Sequence, residues 1–403
     1  MRTALSLAVA LACVAALRAD IAPNPLTTGG TNITLKDPAG GVPVTMAWEE
    51  VDVTPSAEKN RVEAVFLLKN TGKKDVELTV GFPSYFQVAL EDFTAEVDGK
   101  KQAAEVRKTG GEGPKKIFTY WLCWPMKFAA GEEHKVRVTY WCKTEMAFDF
   151  FETKLPKDVR SEVCAYSSGY VLRTGAGWDG NIGKATIRLH YGDQVKKENV
   201  TIQQPEKGWK YDKKADVDEL VLTDFKPEAG ELSTSDVVYR FKLHGPEEEA
   251  KVLFAALKDK RLDPWAIDRL LKAVEKDNVL RLDADARKAK AFEILELMVP
   301  PKGPKPLIQG PNDEPDNKYL EYGAEMLLHD AFARLLAHYR EEKDAASAEA
   351  LTREFAALLK VVTARRDKEF FKDPRFQRGA QWEEQKKLKK ECEELIKSLP
   401  PEK

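Results

Sequence analysis

From Val42 to about Leu243 the chain repeats one texture: short runs in which β-branched or aromatic residues fall at every second position, interrupted by Gly, Pro, Asn and Lys clusters. The runs at 44–53, 61–69, 75–82, 93–97, 117–126, 135–142, 165–173, 185–191, 199–203, 219–223 and 237–243 predict strands. Strands at this spacing predict an antiparallel β-sandwich region, either one large module or two packed modules dividing near Pro156. Asn70-Thr71-Gly72-Lys73 and Ala130-Gly131-Glu132-Glu133 predict turns, because each places Gly where a connection needs permissive backbone angles.

After Pro246 the period changes. Residues 247–258, 264–276 and 284–298 carry apolar residues at three and four spacing with charges between them, which predicts helices. Asp263-Pro264 has the form of a helix start, with a capping acid before Pro at the first helical position. Residues 299–317 hold Pro300, Pro301, Pro304, Pro306, Pro311 and Pro315 and predict a linker. Residues 318–343, 345–365 and 380–398 predict three further helices. The fold class expected is α+β multidomain: a polar segment at 20–41, a β-sandwich region at 42–245, a helical segment at 246–298, the linker, and an all-α C-terminal segment at 318–403.

The first residues change the picture. Met1-Arg2, an apolar run from Ala4 to Leu17 and then Ala19-Asp20 follow the order of a secretory signal, so residues 1–19 are expected to be cleaved and the chain to be periplasmic or extracellular. A lipoprotein start at Cys13 is the weaker reading, since Ala10 stands where a branched residue is usual. No other segment is apolar enough to predict a transmembrane span. The sequence carries 64 basic and 66 acidic residues, and losing Arg2 and Arg18 moves the net charge from −2 to about −4. With signs mixed along the chain, nucleic acid is not an expected partner.

Cys123, Cys142, Cys164 and Cys392 lie beyond the leader. In an exported chain an even number suits one or two disulfides, and the absence of CxxC spacing argues against a zinc ribbon. If 118–142 is a hairpin turning near Ala130, Cys123 faces Arg137 and Cys142 falls beyond Thr119, too far apart and on opposite faces for a bond. Cys142 with Cys164 is the disulfide candidate, set against both being buried thiols.

Three stretches together resemble a bacterial exported family known only as domain-of-unknown-function family 4424. They are Gly29-Gly30-Thr31-Asn32 leading into Val44-Thr45-Met46 and Glu49-Glu50-Val51; 65–72 leading into Gly81-Phe82-Pro83; and 170–178 followed by Gly180, Ile182 and Gly183. The third is the most specific, with an aromatic, Arg, Thr-Gly and Trp-x-Gly in order. The resemblance covers about Gly29 to Tyr191 and implies an envelope or extracellular β domain, with no catalytic residues to carry over.

Arg173 to Gly183 packs one cation, one Trp and several glycines between two strands. It predicts a ligand-facing loop in which Arg173 binds an anion and Trp178 stacks on a ring, or else a tight connection in which Trp178 plugs the sandwich and Arg173 pairs with a carboxylate. The 118–142 segment concentrates Tyr120, Trp121, Trp124, Phe128, Tyr140 and Trp141. Its first strand is apolar on both faces, so it is either covered on both sides or offers Trp121 and Trp124 as an aromatic binding surface. On the helix from Lys318, Glu321, Glu325 and His329 share an apolar face, and Glu325 with His329 could ligate a divalent metal if other helices supplied partners.

No catalytic residue is assigned: the chain lacks GxSxG, HExxH, a phosphate loop and a GxGxxG helix start. No cofactor is predicted, a divalent metal being possible only through Glu325 and His329. The function expected is a non-enzymatic envelope module whose β region binds or scaffolds another envelope protein or a glycan. The alternatives are a metal-dependent hydrolase with its site in the helical region, and a carbohydrate-binding sandwich using Trp178.

Overall fold

A computed structural model describes residues 18–19, 22–23, 42–85, 90–108, 118–147, 155–227, 236–259, 264–298 and 324–353, together with Lys386, Lys390 and Glu394. The chain divides into two compact units, and neither division falls where a simple two-part chain would place it. The first comprises residues through Asp149 and Cys164–Leu243; the second comprises Phe150–Val163 and His244–Lys403. The β region is therefore one unit, interrupted by a short excursion that belongs with the helices.

The β unit contains three sheets. The largest runs in the order β15 (Trp209–Asp212), β16 (Val217–Phe225), β13 (Ile182–His190), β3 (Val44–Thr54), β4 (Lys59–Asn70), β10 (Glu133–Lys143), β6 (Glu91–Val97) and β7 (Lys100–Gln102). A four-stranded sheet orders β2 (Ala22–Pro23), β5 (Val76–Tyr85), β9 (Phe118–Phe128) and β8 (Glu105–Lys108). The third orders β1 (Arg18–Ala19), β12 (Ala165–Val171), β17 (Val237–Phe241) and β14 (Val200–Gln204), with β11 (Glu145–Ala147) also on β12. Most neighbours are antiparallel, but β13 runs parallel to β3 and β1 parallel to β12.

Alternation decides which side of the large sheet is inside. On β4, Val62, Ala64, Phe66 and Leu68 are buried while Arg61, Glu63, Val65, Leu67 and Lys69 point the other way. On β10, Val136, Val138, Tyr140 and Cys142 are buried in the same manner. They join Val44, Val51, Val80, Phe82, Trp124, Phe128, Tyr170, Trp178, Ile187 and Tyr239 in one core. Burying apolar side chains at roughly 25 cal/mol per Å² makes this core the main stabilising term of the unit.

The 118–142 segment is not a hairpin. β9 pairs with β5 and β8, whereas β10 pairs with β4 and β6, so the turn at Ala129–Glu132 carries the chain from one sheet to another. Gly131 has φ +79° there, the left-handed conformation such a turn needs. Gly183 is required for a different reason: a Cβ on it would lie 2.3 Å from the Ala47 carbonyl oxygen, where β13 meets the bulge between Met46 and Trp48 of β3.

In the second unit, α1 (Lys157–Val163) packs on α2 (Pro246–Lys258), α3 (Pro264–Glu275) and α4 (Ala284–Met298) pack on α2 and on each other, and α5 (Ala324–Glu341) packs on α3 and α4. A further helical stretch covers 345–353. Pro246 at the start of α2 with Glu247, Glu248 and Glu249 in its first turn suits the helix dipole. Leu253, Leu257, Ile267, Leu270, Val274, Ile294, Leu295 and Leu335 supply the buried stripes. No described helix is long and apolar enough to cross a membrane. The linker at 299–317 lies outside the described residues.

Candidate functional site

The four residues expected to meet a ligand are all inside the β unit. Arg173 opens the short 3-10 turn Arg173–Gly177 that follows β12, and its guanidinium is paired with Asp236. Asp236 Oδ2 accepts from Arg173 Nε at 2.6 Å, and its Oδ1 accepts from the backbone N–H groups of Leu172 and Arg173 at 3.0 and 3.1 Å. Burial pushes the Asp236 carboxyl up, against the opposing pull of Arg173. Arg173 is thus a partner for a buried carboxylate and not an anion receptor. Trp178 is buried in the core, and its carbonyl accepts from Lys226 Nζ at 3.1 Å, which ties the turn to the residue just past the end of β16.

Trp124 faces the core while Trp121, three positions earlier on β9, is buried on its own account, so this strand is covered on both faces and offers no aromatic surface. The doubly apolar pattern reflects enclosure.

The disulfide expected between Cys142 and Cys164 is not made: both are buried thiols, as is Cys123. Cys142 lies on β10 of the eight-stranded sheet, opposite Asn60, whereas Cys164 immediately precedes β12 of the five-stranded sheet. Burial pushes the Cys123 thiol up to about 11, which keeps it protonated and unreactive. Cys392 and Glu321 lie outside the described residues, and of Glu325 and His329 only the backbone, in α5, is described. Among the described residues no three His, Cys, Asp or Glu side chains come together to hold a metal.

The surface with functional character is the outer face of the eight-stranded sheet. The outward positions of β4 are Lys59, Arg61, Glu63, Val65, Leu67 and Lys69, and those of β10 are Glu133, Lys135, Arg137, Thr139, Trp141 and Lys143. Register sets Trp141 beside Arg61, Arg137 beside Val65, and Lys135 beside Leu67, with Trp48 of β3 on the far side of Leu67. Lys135 lies over the Trp48 ring at 6.0 Å and Lys59 over the Trp141 ring at 5.3 Å. Lys69, Glu133 and Arg137 keep 44%, 45% and 46% of their side-chain surface, so this face is open to solvent. Lys69 pairs with Glu133 at 2.8 Å and Arg137 with Glu63 at 2.9 Å. Toward β13, Arg188 is ringed by Glu219, Asp52 and Glu50 at 2.9, 3.8 and 3.9 Å.

Three further groups stand out chemically. Glu49 on β3 is fully buried, lies in register between Phe66 and Ala185, and neither of its oxygens has a hydrogen-bond partner among the described residues. Burial pushes its carboxyl up to about 8, so at neutral pH it is mainly protonated. His134 Nδ1 meets Asp98 Oδ2 at 2.6 Å, and its Nε2 meets the Lys127 carbonyl at 2.9 Å. Two acceptors on the two ring nitrogens select the doubly protonated imidazolium. Lys197 Nζ bonds Asp218 at 2.6 Å between the rings of Tyr191 and Tyr211, and Tyr191 donates to the same carboxylate oxygen.

No family model matches the chain, and no curated protein matches it. Among solved structures, it is similar to a Legionella pneumophila protein proposed to bind nutrients, at 15% identity and a TM-score of 0.45, over 81% of this chain and 98% of that one. It is also similar to the M1 zinc metallopeptidase of Deinococcus radiodurans, at 11% identity and a TM-score of 0.25, over 49% of this chain and 42% of that one. Yeast LTA4 hydrolase is matched at 9% identity and a TM-score of 0.27, over 52% of this chain and 31% of that one.

Proposed function

We propose that the chain is an exported, non-enzymatic binding module, holding another envelope component against the outer face of its eight-stranded sheet. The observation that carries this reading is that face: a solvent-open arrangement of Trp48, Trp141, Val65 and Leu67 among Lys, Arg and Glu side chains, in a unit whose core is filled elsewhere. Half-buried tryptophans on a hydrated sheet retain apolar area that a partner can cover. The leader-like start and the likeness to family 4424 support an extracytoplasmic setting, with cleavage after Ala19 removing β1 from the edge of the five-stranded sheet.

The test is a photo-crosslinking amino acid placed at Thr139, in the middle of the face, and at Lys213 in the exposed turn after β15, in the full chain expressed in its own cells. The expected result is a discrete adduct from position 139 and none from 213. Equal yields at both positions, or no adduct at 139, would reject the reading.

A further inference from the structure

We infer that Tyr191, Tyr211 and Asp218 form a site for a quaternary ammonium group, which the chain's own Lys197 fills while no ligand is bound. The site lies on the core side of the eight-stranded sheet at its β15 edge, away from the outer face.

The fold builds it in one row. Leu189 of β13, Asp218 of β16 and Tyr211 of β15 stand side by side in register, and Tyr191, two positions past Leu189, falls on the same side by alternation. The row runs out of the core: Leu189 is buried at one end, while Tyr211 keeps 43% of its surface at the other. The two tyrosine rings lie 6.4 Å apart with their planes at 52°, a corner beside the buried Asp218 carboxylate. Tyr191 donates to that carboxylate at 2.6 Å and Tyr211 donates to Asp216 at 2.7 Å, which fixes both rings. The bond to Asp216, reinforced by the Asp216, Asp218 and Glu198 charges, pushes the Tyr211 hydroxyl up to about 12, so it stays a donor.

Aromatic faces beside a buried carboxylate suit an organic cation. Lys197 already uses them in part. Its Nζ reaches Asp218 at 2.6 Å but stands 5.7 and 5.8 Å from the two ring centres. Contact with a ring face comes at roughly 3.5–4 Å, so the primary ammonium, drawn to the carboxylate, stops short of both rings. Methyl groups extending about 1.5 Å from a quaternary nitrogen would close most of that gap. Asp218 would lose the lysine bond, keep the one from Tyr191, and still have a positive charge beside it.

Displacement asks little of the fold. Val195 is buried and anchors the loop that leads into the short 3-10 turn Lys197–Asn199, so the backbone can stay while the Lys197 side chain, 32% exposed, swings into solvent. Held in the same chain, that lysine competes at an effective concentration in roughly the millimolar range. The intact protein should therefore bind the ligand weakly, and a protein without Lys197 tightly.

The experiment titrates tetramethylammonium and choline into the full chain by calorimetry, with potassium as the comparison. Both quaternary ions should bind and potassium should not. Lys197→Ala should bind them at least tenfold more tightly. Tyr211→Ala and Asp218→Asn should bind at least tenfold more weakly, while Tyr211→Phe, which keeps the ring, stays near wild type. Tyr211 stands at the exposed rim, so its variants report on binding even if Asp218→Asn folds poorly. Phosphatidylcholine vesicles separate two sources of the same headgroup: co-sedimentation supports a lipid ligand, and binding of free choline alone supports a soluble one. A Lys197→Ala protein that binds no tetramethylammonium, or binds it no better than wild type, overturns the inference. So does potassium bound as tightly as tetramethylammonium, which would reduce the site to an acidic patch holding a salt bridge.

Discussion

Asn60 on β4 donates its side-chain amide to the hydroxyl of Ser168 on β12, 2.6 Å away, joining the eight-stranded sheet to the five-stranded one through buried polar groups. The same side chain accepts from the Ser56 backbone N–H at 3.1 Å, so one asparagine also shapes the β3–β4 turn. Asn60→Leu should destabilise the protein by about 1–3 kcal/mol, because Ser168 and the Ser56 amide lose their partner where water does not easily replace it. Adding Ser168→Ala to that variant should recover part of the loss. Urea denaturation midpoints check both; a double variant no more stable than Asn60→Leu would show that the hydroxyl is satisfied in another way.

The Arg173–Asp236 pair gives a larger effect. Arg173→Met leaves a carboxylate buried with only the Leu172 and Arg173 amides to hold it, and a loss of about 3–5 kcal/mol is expected. Combining Arg173→Met with Asp236→Leu should restore much of it, since the pair is costly to bury and is not the source of the core's stability. Equilibrium unfolding of the two variants tests this, and a ligand-binding role for Arg173 would leave the single variant as stable as the parent.

His134 predicts a dependence on neutral pH. Burial pulls its pKa down, but the hydrogen bonds to Asp98 and the Lys127 carbonyl, with the Asp98 and Glu132 charges, together raise it above 6.5. The folded state then holds its proton more tightly than the unfolded chain does. The contribution is complete below the unfolded value and is lost as pH rises through the folded one. The melting temperature of wild type minus that of His134→Gln should therefore shrink as pH rises from 6 toward 8. A difference that stays constant would mean the imidazolium adds nothing.

Glu49 works in the alkaline direction. The unfolded carboxyl ionises near 4.5 and the folded one near 8, so between these values the folded state binds more protons and stability falls as pH rises. Glu49→Gln removes that slope, and its advantage over wild type should grow to a few kcal/mol by about pH 8, then level. Thermal melts of both proteins from pH 5 to 9 provide the measurement. Parallel curves would show that Glu49 has a partner holding it ionised.

Much of this architecture could be read from alternation where one side of a strand is wet. β4 and β10 alternate cleanly because their outer faces carry Lys, Arg and Glu. β9 defeats the same reading: Trp121, Trp124, Cys123 and Met126 are all buried, so its period carries no information about which strand lies beside it. The turn at Gly131 suits a hairpin and an inter-sheet crossing alike, and the crossing is what the pairing shows. The helix α1, at seven residues, is too short for its period to be recognised.

The candidate site was obscured by a related effect. Aromatic density drew attention to 118–142 and 173–183, which is where a core is richest, since aromatic rings bury the most area. Trp141 sits singly in an alternating strand whose Lys143 and Arg137 mark the outer side, whereas the bulge between Met46 and Trp48 and the buried Glu49 hide the side taken by Trp48. Asp236 lies 63 residues from Arg173, so the partner of that arginine could come only from the fold.

The parallel seam between β3 and β13 has a consequence for the order in which the molecule can be completed. β3 gains β4 almost at once, but its other edge waits for a strand roughly 130 residues further along the chain, a long loop closure of the kind that slows folding. Until Ile182–His190 arrives, the backbone from Trp48 to Val53 stands as an open template at what will become the middle of the sheet. Shortened chains that stop before that strand should therefore pair with one another along β3.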